Sequence, residues 1–471
     1  MESGKTNKID VDEEGGKESV TLALPGKGLT RLTISTHAIL ERVDAIRGLY
    51  EHAIALEGSF APYIDSCFDV LFPLINFTFS ADVRTTAAQS LSAVYEAACC
   101  YGETSGDFSA CAQFLSKLVL GIADRIKSED EMDALYAFAD ALSEILFSTY
   151  SRRDQLGPVM GNRFTIDDAK LFVGLCLRSA LVPCLERRSK ITQILQNIQN
   201  LSGEDEKESY EDHLKEEERL LTPLVDSVGY TLKIFGPSFF PLFQEVVAKI
   251  LGPCLSEGND IRARLSAVCL YDDCAEWCGP AAANAIAPDL MKGILLGLND
   301  DMNGGDLELK QAAIYGVVQL ARFCPTDFFT PYAPTLLNAI TFITNSPKER
   351  SPSLPLYENS IAALACLCLI GNAPLKSAGI ANQANAMATF MKALPLSEDP
   401  DLAQICHDGF YDLIINGQVS IDKDAAAVAR ISGDIMELVN EEEDVATPET
   451  CEKIRQVMQG IQHSPTSTAL Y

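Results

Sequence analysis

The sequence predicts an all-α fold assembled from repeated antiparallel helix pairs, and two observations carry that prediction. After residue 36, apolar residues recur at the helical period of about 3.6 residues along most of the chain. Similar helix pairs also recur at a spacing of about 45 residues, which is typical of helical repeat arrays.

The clearest helix pair runs from Tyr63 to Cys100. Apolar residues first follow one helix face, and a short break comes at Ser80. Asp82 is a favourable N-cap for the second helix. That helix then carries a single apolar stripe, and its many alanines allow close packing against its neighbours. The stripe consists of Ala87, Ala88, Leu91, Val94, Tyr95 and Ala98.

The pair recurs in units that begin at Pro241, Ile286, Tyr332 and Asp399. When the second helices are aligned, Arg262, Lys310 and Glu358 share one column, each 48 residues from the next, and Arg84 lies 178 residues before Arg262. A period in the forties with two helices per unit is the HEAT or armadillo-like signature. We therefore predict a superhelical HEAT-repeat solenoid.

An acidic and a basic residue open the second helix of two repeats, as Asp82 with Arg84 and Asp260 with Arg262. Together with Lys310 they are expected to form a ladder of contacts between neighbouring repeats. This role is structural.

The chain divides into three parts in this interpretation. Residues 1–19 are expected to be a disordered acidic leader, residues 20–462 the solenoid, and residues 463–471 a frayed tail. Alternation between Val20 and Thr36 indicates a short hairpin or an ordered loop. An acidic insert near residues 203–218 is either the solvated face of a long helix, a mobile loop or a contact surface for basic partners.

The charge balance selects among partners. Lys and Arg number 37 against 66 Asp and Glu, for a formal net charge of −29. Such a surface repels nucleic acid and anionic membranes and attracts basic proteins, although excess acid also serves solubility. We predict no direct nucleic-acid binding and no membrane insertion, because no long apolar run lacks a charge or proline break.

Catalytic and cofactor motifs are scarce. The fifteen cysteines lie in apolar runs without zinc or redox spacing, which favours buried reduced thiols in an intracellular protein. The sequence contains no phosphate-binding loop and no nucleophile elbow. We predict that the protein is not an enzyme and has no metal or cofactor.

Two acidic sets are candidate partner-binding residues. The first lies on one helix and consists of Asp272, Asp273 and Glu276, which we expect on the concave surface. The second is in the acidic insert and consists of Glu204, Asp205, Glu206, Glu216, Glu217 and Glu218.

Four segments resemble the importin-β superfamily of nuclear transport receptors, nearest the C-terminal half of the karyopherin beta-three (importin beta-three) branch. DVRTTAAQSL at Asp82 resembles the DGVR-x-AAA segment of the family, and LKQAAIYGVVQLA at Leu309 resembles its VRQAAAYGLG-type helix. RLSAVCLYDDCAEWCGP at Arg264, and ENSIAALACL at Glu358 with LPLSEDPDLA at Leu394, are similar to family segments in the same order.

This resemblance implies a nuclear import receptor that moves between cytoplasm and nucleus through the nuclear pore. It implies binding of basic cargo, such as ribosomal proteins or histones, and of phenylalanine-glycine nucleoporins. It also implies that Asn359 bonds neighbouring backbone in a structural role. The family binds Ran-GTP through N-terminal repeats that this sequence does not match. The alternative is a HEAT scaffold of another complex, such as a phosphatase scaffold or a chromosome-organising adaptor.

Overall fold

The computed structural model describes residues 9–12, 17–24, 28–161, 163–198, 204–299, 306–345, 353–372, 374–375 and 383–463. The chain forms two compact units, Met1–Leu242 and Phe243–Tyr471. Each unit is described separately below.

A small antiparallel sheet precedes the helices. Its strands are β1 (Ile9–Asp12), β2 (Lys17–Leu24) and β3 (Gly28–Ser35), in the order β1-β2-β3. The β2–β3 hairpin lies where the alternation of Val20 to Thr36 predicts one. The prediction of a disordered leader is wrong for the described residues 9–12 and 17–19, which belong to paired strands, with Ile9 opposite Val20. The other residues of 1–19 lie outside the described part of the chain.

The helices of the first unit form two layers. In one layer α1, α3, α5 and α9 pack side by side, and we call it the second-helix layer; α2, α4 and α7 belong to the other. The helices are α1 (Thr36–Leu56), α2 (Ile64–Leu71), α3 (Ala81–Ser105), α4 (Ser109–Ser128), α5 (Met132–Ser151), α6 (Arg153–Met160), α7 (Ile166–Cys176), α8 (Val182–Ile198), α9 (Glu204–Phe235) and α10 (Phe240–Leu242).

The helix α3 packs between α1 and α5, and the alanines of its apolar stripe allow close approach. Ala87 and Ala88 are fully buried, and Leu91 is 1% exposed. The N-cap is Ser80 rather than Asp82, because the Ser80 hydroxyl accepts from the Val83 amide at 3.3 Å. The helix ends at Gly106, whose φ of 76° suits a residue without a Cβ.

The described part of the acidic run is helical, which decides against the mobile loop; a contact surface for basic partners stays a prediction. Residues Glu204 to Glu218 form the first half of α9, and the rest of α9 packs against α5. With α8, to which it packs, α9 forms a long helical hairpin.

The second unit repeats the same arrangement, with α12, α14, α17 and α19 following one another in its second-helix layer and α13 packed against α12 and α14. Its helices are α11 (Ala248–Leu251), α12 (Ile261–Trp277), α13 (Pro280–Asn299), α14 (Leu307–Phe323), α15 (Thr326–Phe329), α16 (Ala333–Thr344), α17 (Leu354–Ala365), α18 (Gln383–Ala393), α19 (Pro400–Ile415), α20 (Ile421–Asn440) and α21 (Pro448–His463).

The cysteines and the apolar helices belong to the cores of the units. The fifteen cysteines form no disulfide, and all except Cys100 and Cys269 are buried. Two helical stretches, Lys207–Leu255 and Pro280–Asn299, are long and apolar enough to cross a membrane by length and composition alone. In the second stretch, Ile286, Leu290 and Ile294 are buried in the protein, as expected of a core helix.

Candidate partner-binding groove

A groove crosses the second-helix layer of the first unit. Its floor is α3, its walls are α1 and α5, and α9 contributes to one end. It consists of two adjoining cavities that share Tyr50 and Glu144, an acidic cavity of about 470 Å³ and an apolar cavity of about 360 Å³. We refer to both together as the groove.

Acidic side chains dominate the acidic cavity. Glu51 of α1, Asp140 and Glu144 of α5, and Asp226 of α9 line it, and Arg47 is the one basic residue among its described lining residues. Burial, and then the charge of Glu144, raise the pKa of Asp140. A cation that binds beside Asp140 would stabilise its ionised form.

The local helix geometry explains why these side chains meet. On α5, Asp140, Glu144 and Phe147 lie at i, i+4 and i+7, so they share one face. That face is opposite to the buried stripe of α5, which includes Leu142 and Ile145.

Few of the groove acids are neutralised. The Ser92 hydroxyl donates to Glu144 Oε2 at 2.5 Å. Arg152 pairs with Glu96 at 2.7 Å at the rim of the apolar cavity. Across the described ranges, no cationic side chain lies within 4 Å of Glu51, Glu57, Asp140 or Glu144.

The apolar cavity has small residues on its floor and larger ones on its walls. Ala93 and Ala97 of α3 form the floor, and Ile54 of α1 and Phe147 of α5 lie on the walls. Ile54 is 52% exposed and Phe147 is 51% exposed. Exposed apolar side chains beside a polar rim are typical of a protein-binding surface.

Phe147 also belongs to an aromatic cluster of the same layer. Its ring centroid lies 5.4 Å from that of Tyr230 of α9, and Tyr150 stacks on Tyr230 at 5.9 Å. The groove therefore offers negative charge at one end and an apolar, aromatic surface at the other.

The sequence did not single out the groove residues. The acids predicted from the sequence lie close together along the chain, whereas the acids of the groove come from α1, α3, α5 and α9. The signal that was available is the i, i+4 spacing of Asp140 and Glu144 on a face opposite to the apolar stripe.

The predicted set of Asp272, Asp273 and Glu276 does not form an exposed surface, because Asp272 is buried and the other two are partly buried. Asp272 is 3% exposed, so its placement on a concave surface is wrong. Glu276 is also largely buried, with a side chain that is 14% exposed and accepts from the Tyr315 hydroxyl at 2.9 Å. Burial is the main reason that the pKa of Glu276 is raised.

The acids of α9 are divided between pairing and solvent. Glu216 is exposed and Glu218 is partly buried, but Glu217 is buried and paired with Arg187, whose Nη2 lies 2.8 Å from Glu217 Oε2. Glu217 therefore stabilises the α8–α9 hairpin and is not available to a partner. The side chains of Glu204, Asp205 and Glu206 lie outside the described residues.

Contacts between consecutive repeats lie at the starts of the second helices. Arg84 of α3 reaches Glu129, which precedes α5, with Nε at 2.8 Å from Oε2 and Nη2 at 2.6 Å from Oε1. Arg262 of α12 pairs with Glu308 of α14 through a single, more exposed contact, and Asp260 caps α12 by accepting from the Arg262 amide at 3.1 Å.

The same column changes chemistry further along the chain. Glu358 of α17 is 2% exposed and accepts from the amides of Ser397 and Glu398, just before α19, at 2.8 and 2.9 Å. Lys310 and Asn359 are both buried, at 7% and 2% exposed. Asp82 is the exception, because Ser80 takes the capping role that the sequence assigned to it.

The described residues contain no group of three or more His, Cys, Asp or Glu side chains placed to hold a metal ion.

No protein-family model matches the chain. Its fold is similar to that of the karyopherin Kap121p bound to the extreme C-terminus of the protein phosphatase Cdc14p, with a TM-score of 0.64 and 16% identity over 99% of this chain and 38% of that chain. Kap121p bound to RanGTP gives a TM-score of 0.61 at 16% identity, over 99% of this chain and 39% of that chain. Kap121p bound to Nup53p gives 0.59 at 16% identity, over 96% and 40%.

The chain therefore spans about two fifths of the length of the solved structures that it matches. The likeness confirms the all-α HEAT-repeat solenoid that the sequence predicts.

Proposed function

We propose that this chain is a karyopherin-type nuclear transport receptor, or part of one, that binds basic cargo proteins through the groove. The observation that carries the proposal is the groove itself, in which Glu51, Glu57, Asp140 and Glu144 have no cationic partner within 4 Å among the described residues. A cationic partner would replace the repulsion among these carboxylates with attraction.

The fold supports the same proposal, because Kap121p uses a similar helical array and has been crystallised with segments of other proteins. The proposed cargo class is proteins with Lys- and Arg-rich segments, such as ribosomal proteins or histones. The proposed location is the cytoplasm, the nucleus and the nuclear pore. The karyopherin beta-three branch and the C-terminal half of such a receptor are the finer parts of the proposal.

A second contact with nucleoporins belongs to the proposal. On the opposite layer of the first unit, Tyr63 is 57% exposed and Val70 of α2 is 59% exposed. Exposed apolar side chains of this kind suit the phenylalanine side chains of nucleoporin repeats. Ran-GTP is not among the partners that we propose for this chain.

The test of the cargo site is a charge reversal in the groove. Binding of a fluorescein-labelled histone tail to the full chain is measured by fluorescence anisotropy at about 50 and about 200 mM salt. The double variant Asp140→Lys/Glu144→Lys changes the charge of the groove by four units, and we expect it to bind at least about tenfold more weakly at the lower salt concentration.

The matched control is Asp65→Lys/Asp69→Lys. These two acids of α2 are exposed and have the same i, i+4 spacing, but they lie in the other layer. The control should keep wild-type affinity. Equal loss in both variants would mean that net charge alone drives binding, and retention of a phosphatase catalytic subunit without histone or nucleoporin binding would favour the scaffold function.

A further inference from the structure

The second unit buries a carboxyl group between two neighbouring repeats. Asp272 of α12 is 3% exposed, and its Oδ1 has no hydrogen-bond partner among the described residues. It packs against bare backbone of α14, because a Cβ added at Gly316 would lie only 2.5 Å from Asp272 Oδ1. The same Cβ would lie 3.1 Å from Ile294 of α13, so the surroundings are closely packed.

The charged groups nearest to Asp272 on its own helix are both acidic. Burial raises the pKa of Asp272 well above its ordinary value, and the charges of Asp273 and then Glu276 raise it further. Because neither neighbour is a cation, nothing on α12 favours the ionised form.

Two polar side chains of α14, Tyr315 and Arg322, are directed to Glu276. The Tyr315 hydroxyl donates to Glu276 Oε2 at 2.9 Å, and Arg322 Nη1 lies 3.9 Å from Glu276 Oε1. Arg322 also donates to Gln319 Oε1 at 2.7 Å, whereas the buried Gln319 Nε2 has no partner among the described residues. The guanidinium of α14 is therefore engaged away from Asp272.

The other packed elements add no nearby cation. On α13, Lys292 is 69% exposed and pairs with Asp289 at 2.7 Å. On the turn before α12, Gly252–Leu255, the titratable group is the thiol of Cys254, which is buried. Within the described residues, no Lys or Arg nitrogen lies within 4 Å of Asp272.

An ionised carboxylate in this setting would need a cation or a hydrogen-bond donor, and Asp272 Oδ1 contacts neither among the described residues. A neutral carboxylic acid is compatible with the closed interface, whereas an unpaired buried charge is strongly unfavourable. We propose that Asp272 is a proton-controlled joint between neighbouring repeats: its neutral acid lets α12 and α14 close on each other, and its ionisation opens that interface to water.

The sign of the effect follows from the raised pKa. The closed interface holds its proton more tightly than an open, hydrated one does. Its stability is therefore fully present at low pH, and it is lost as the pH rises through the pKa of the closed state. The pH dependence of this interface can be measured on the chain without a partner protein. Its outcome therefore does not depend on the proposed transport function.

The test uses the full-length chain and the isosteric variant Asp272→Asn, which is neutral at every pH. Infrared difference spectroscopy between wild type and variant reports whether a protonated carboxylic acid is present near pH 6. Hydrogen exchange then gives the amide protection of α12 and α14 between about pH 5 and about pH 9, a window that brackets the shift of a buried acid. The control is Asp289→Asn, which removes an exposed acid from the neighbouring α13.

We expect the carboxylic-acid C=O band to be present in wild type and in Asp289→Asn and absent in Asp272→Asn. We also expect protection of α12 and α14 to fall at least about tenfold across the pH range in wild type and to stay constant in Asp272→Asn. The absence of the band near pH 6, or the same pH dependence of protection in wild type and Asp272→Asn, would overturn the proposal.

Discussion

The contact between Arg84 and Glu129 gives the sharpest prediction about what holds consecutive repeats together. The two side chains are 9% and 2% exposed, and the guanidinium donates two hydrogen bonds to the carboxylate and a third, at 3.0 Å, to the Phe77 carbonyl. Burial alone would raise the pKa of Glu129, but the hydrogen bonds from Arg84, the Glu131 amide and Arg125 hold it below its ordinary value.

The substitution Arg84→Ala leaves Glu129 buried without its main partner. Removing one member of a buried ion pair costs about 3–5 kcal/mol of unfolding free energy. Arg125 still lies 3.0 Å from Glu129 and the Glu131 amide still donates to it at 3.1 Å, so we expect the lower end, about 3 kcal/mol. Arg84→Lys keeps the charge and loses the forked geometry, so its effect should be intermediate.

The assay is urea denaturation of the full chain followed by circular dichroism. The control is Lys215→Ala, which removes an exposed ion pair with Asp212 in the same unit and should leave the transition in place. If Arg84→Ala shifts the transition no more than Lys215→Ala does, then the ladder between repeats contributes nothing and the reasoning is wrong.

Two further predictions concern single residues. His407 is fully buried between the Leu396 amide and the Val445 carbonyl, and burial lowers its pKa from 6.5 to about 4. Its contribution to the unfolding free energy is therefore present above pH 6.5, and about 3 kcal/mol of it is lost as the pH falls to about 4. Thermal melts between pH 6.5 and about 4 should show this loss of stability in wild type and a smaller loss in His407→Gln. Equal losses in the two proteins would refute the role of His407. Gly106→Ala should lower the unfolding free energy by about 1 kcal/mol because of the positive φ at this residue. Gly174→Ala in α7, where an added Cβ meets nothing within 4 Å, should be neutral or stabilising in the same denaturation assay. A larger loss of stability in Gly174→Ala than in Gly106→Ala would contradict this expectation.

The repeat architecture could be predicted from the sequence because it depends on patterns of residues that are close along the chain. The apolar stripe of α3 follows the helical period, and Arg262, Lys310 and Glu358 recur every 48 residues, so the helix pairs can be recognised from sequence. The capping of α3 was less predictable, because Ser80 and Asp82 are both good caps and only the backbone at residue 80 decides between them.

The groove could not be predicted from the sequence, because its side chains come from four helices that are far apart along the chain. Asp140 of α5 and Glu51 of α1 meet only when the repeats stack. The burial of Asp272 was missed for a related reason. A carboxylate next to a second carboxylate indicates solvent on most helices, and only the packing of Gly316 against Asp272 shows that this face is closed.

Binding of basic cargo by the groove is best measured as the affinity of a histone tail for the groove variants. We expect Asp140→Lys/Glu144→Lys to bind at least about tenfold more weakly at about 50 mM salt and Asp65→Lys/Asp69→Lys to bind like wild type. Wild-type affinity should fall as the salt concentration rises. Unchanged affinity in Asp140→Lys/Glu144→Lys would mean that the groove is not the binding site for basic cargo.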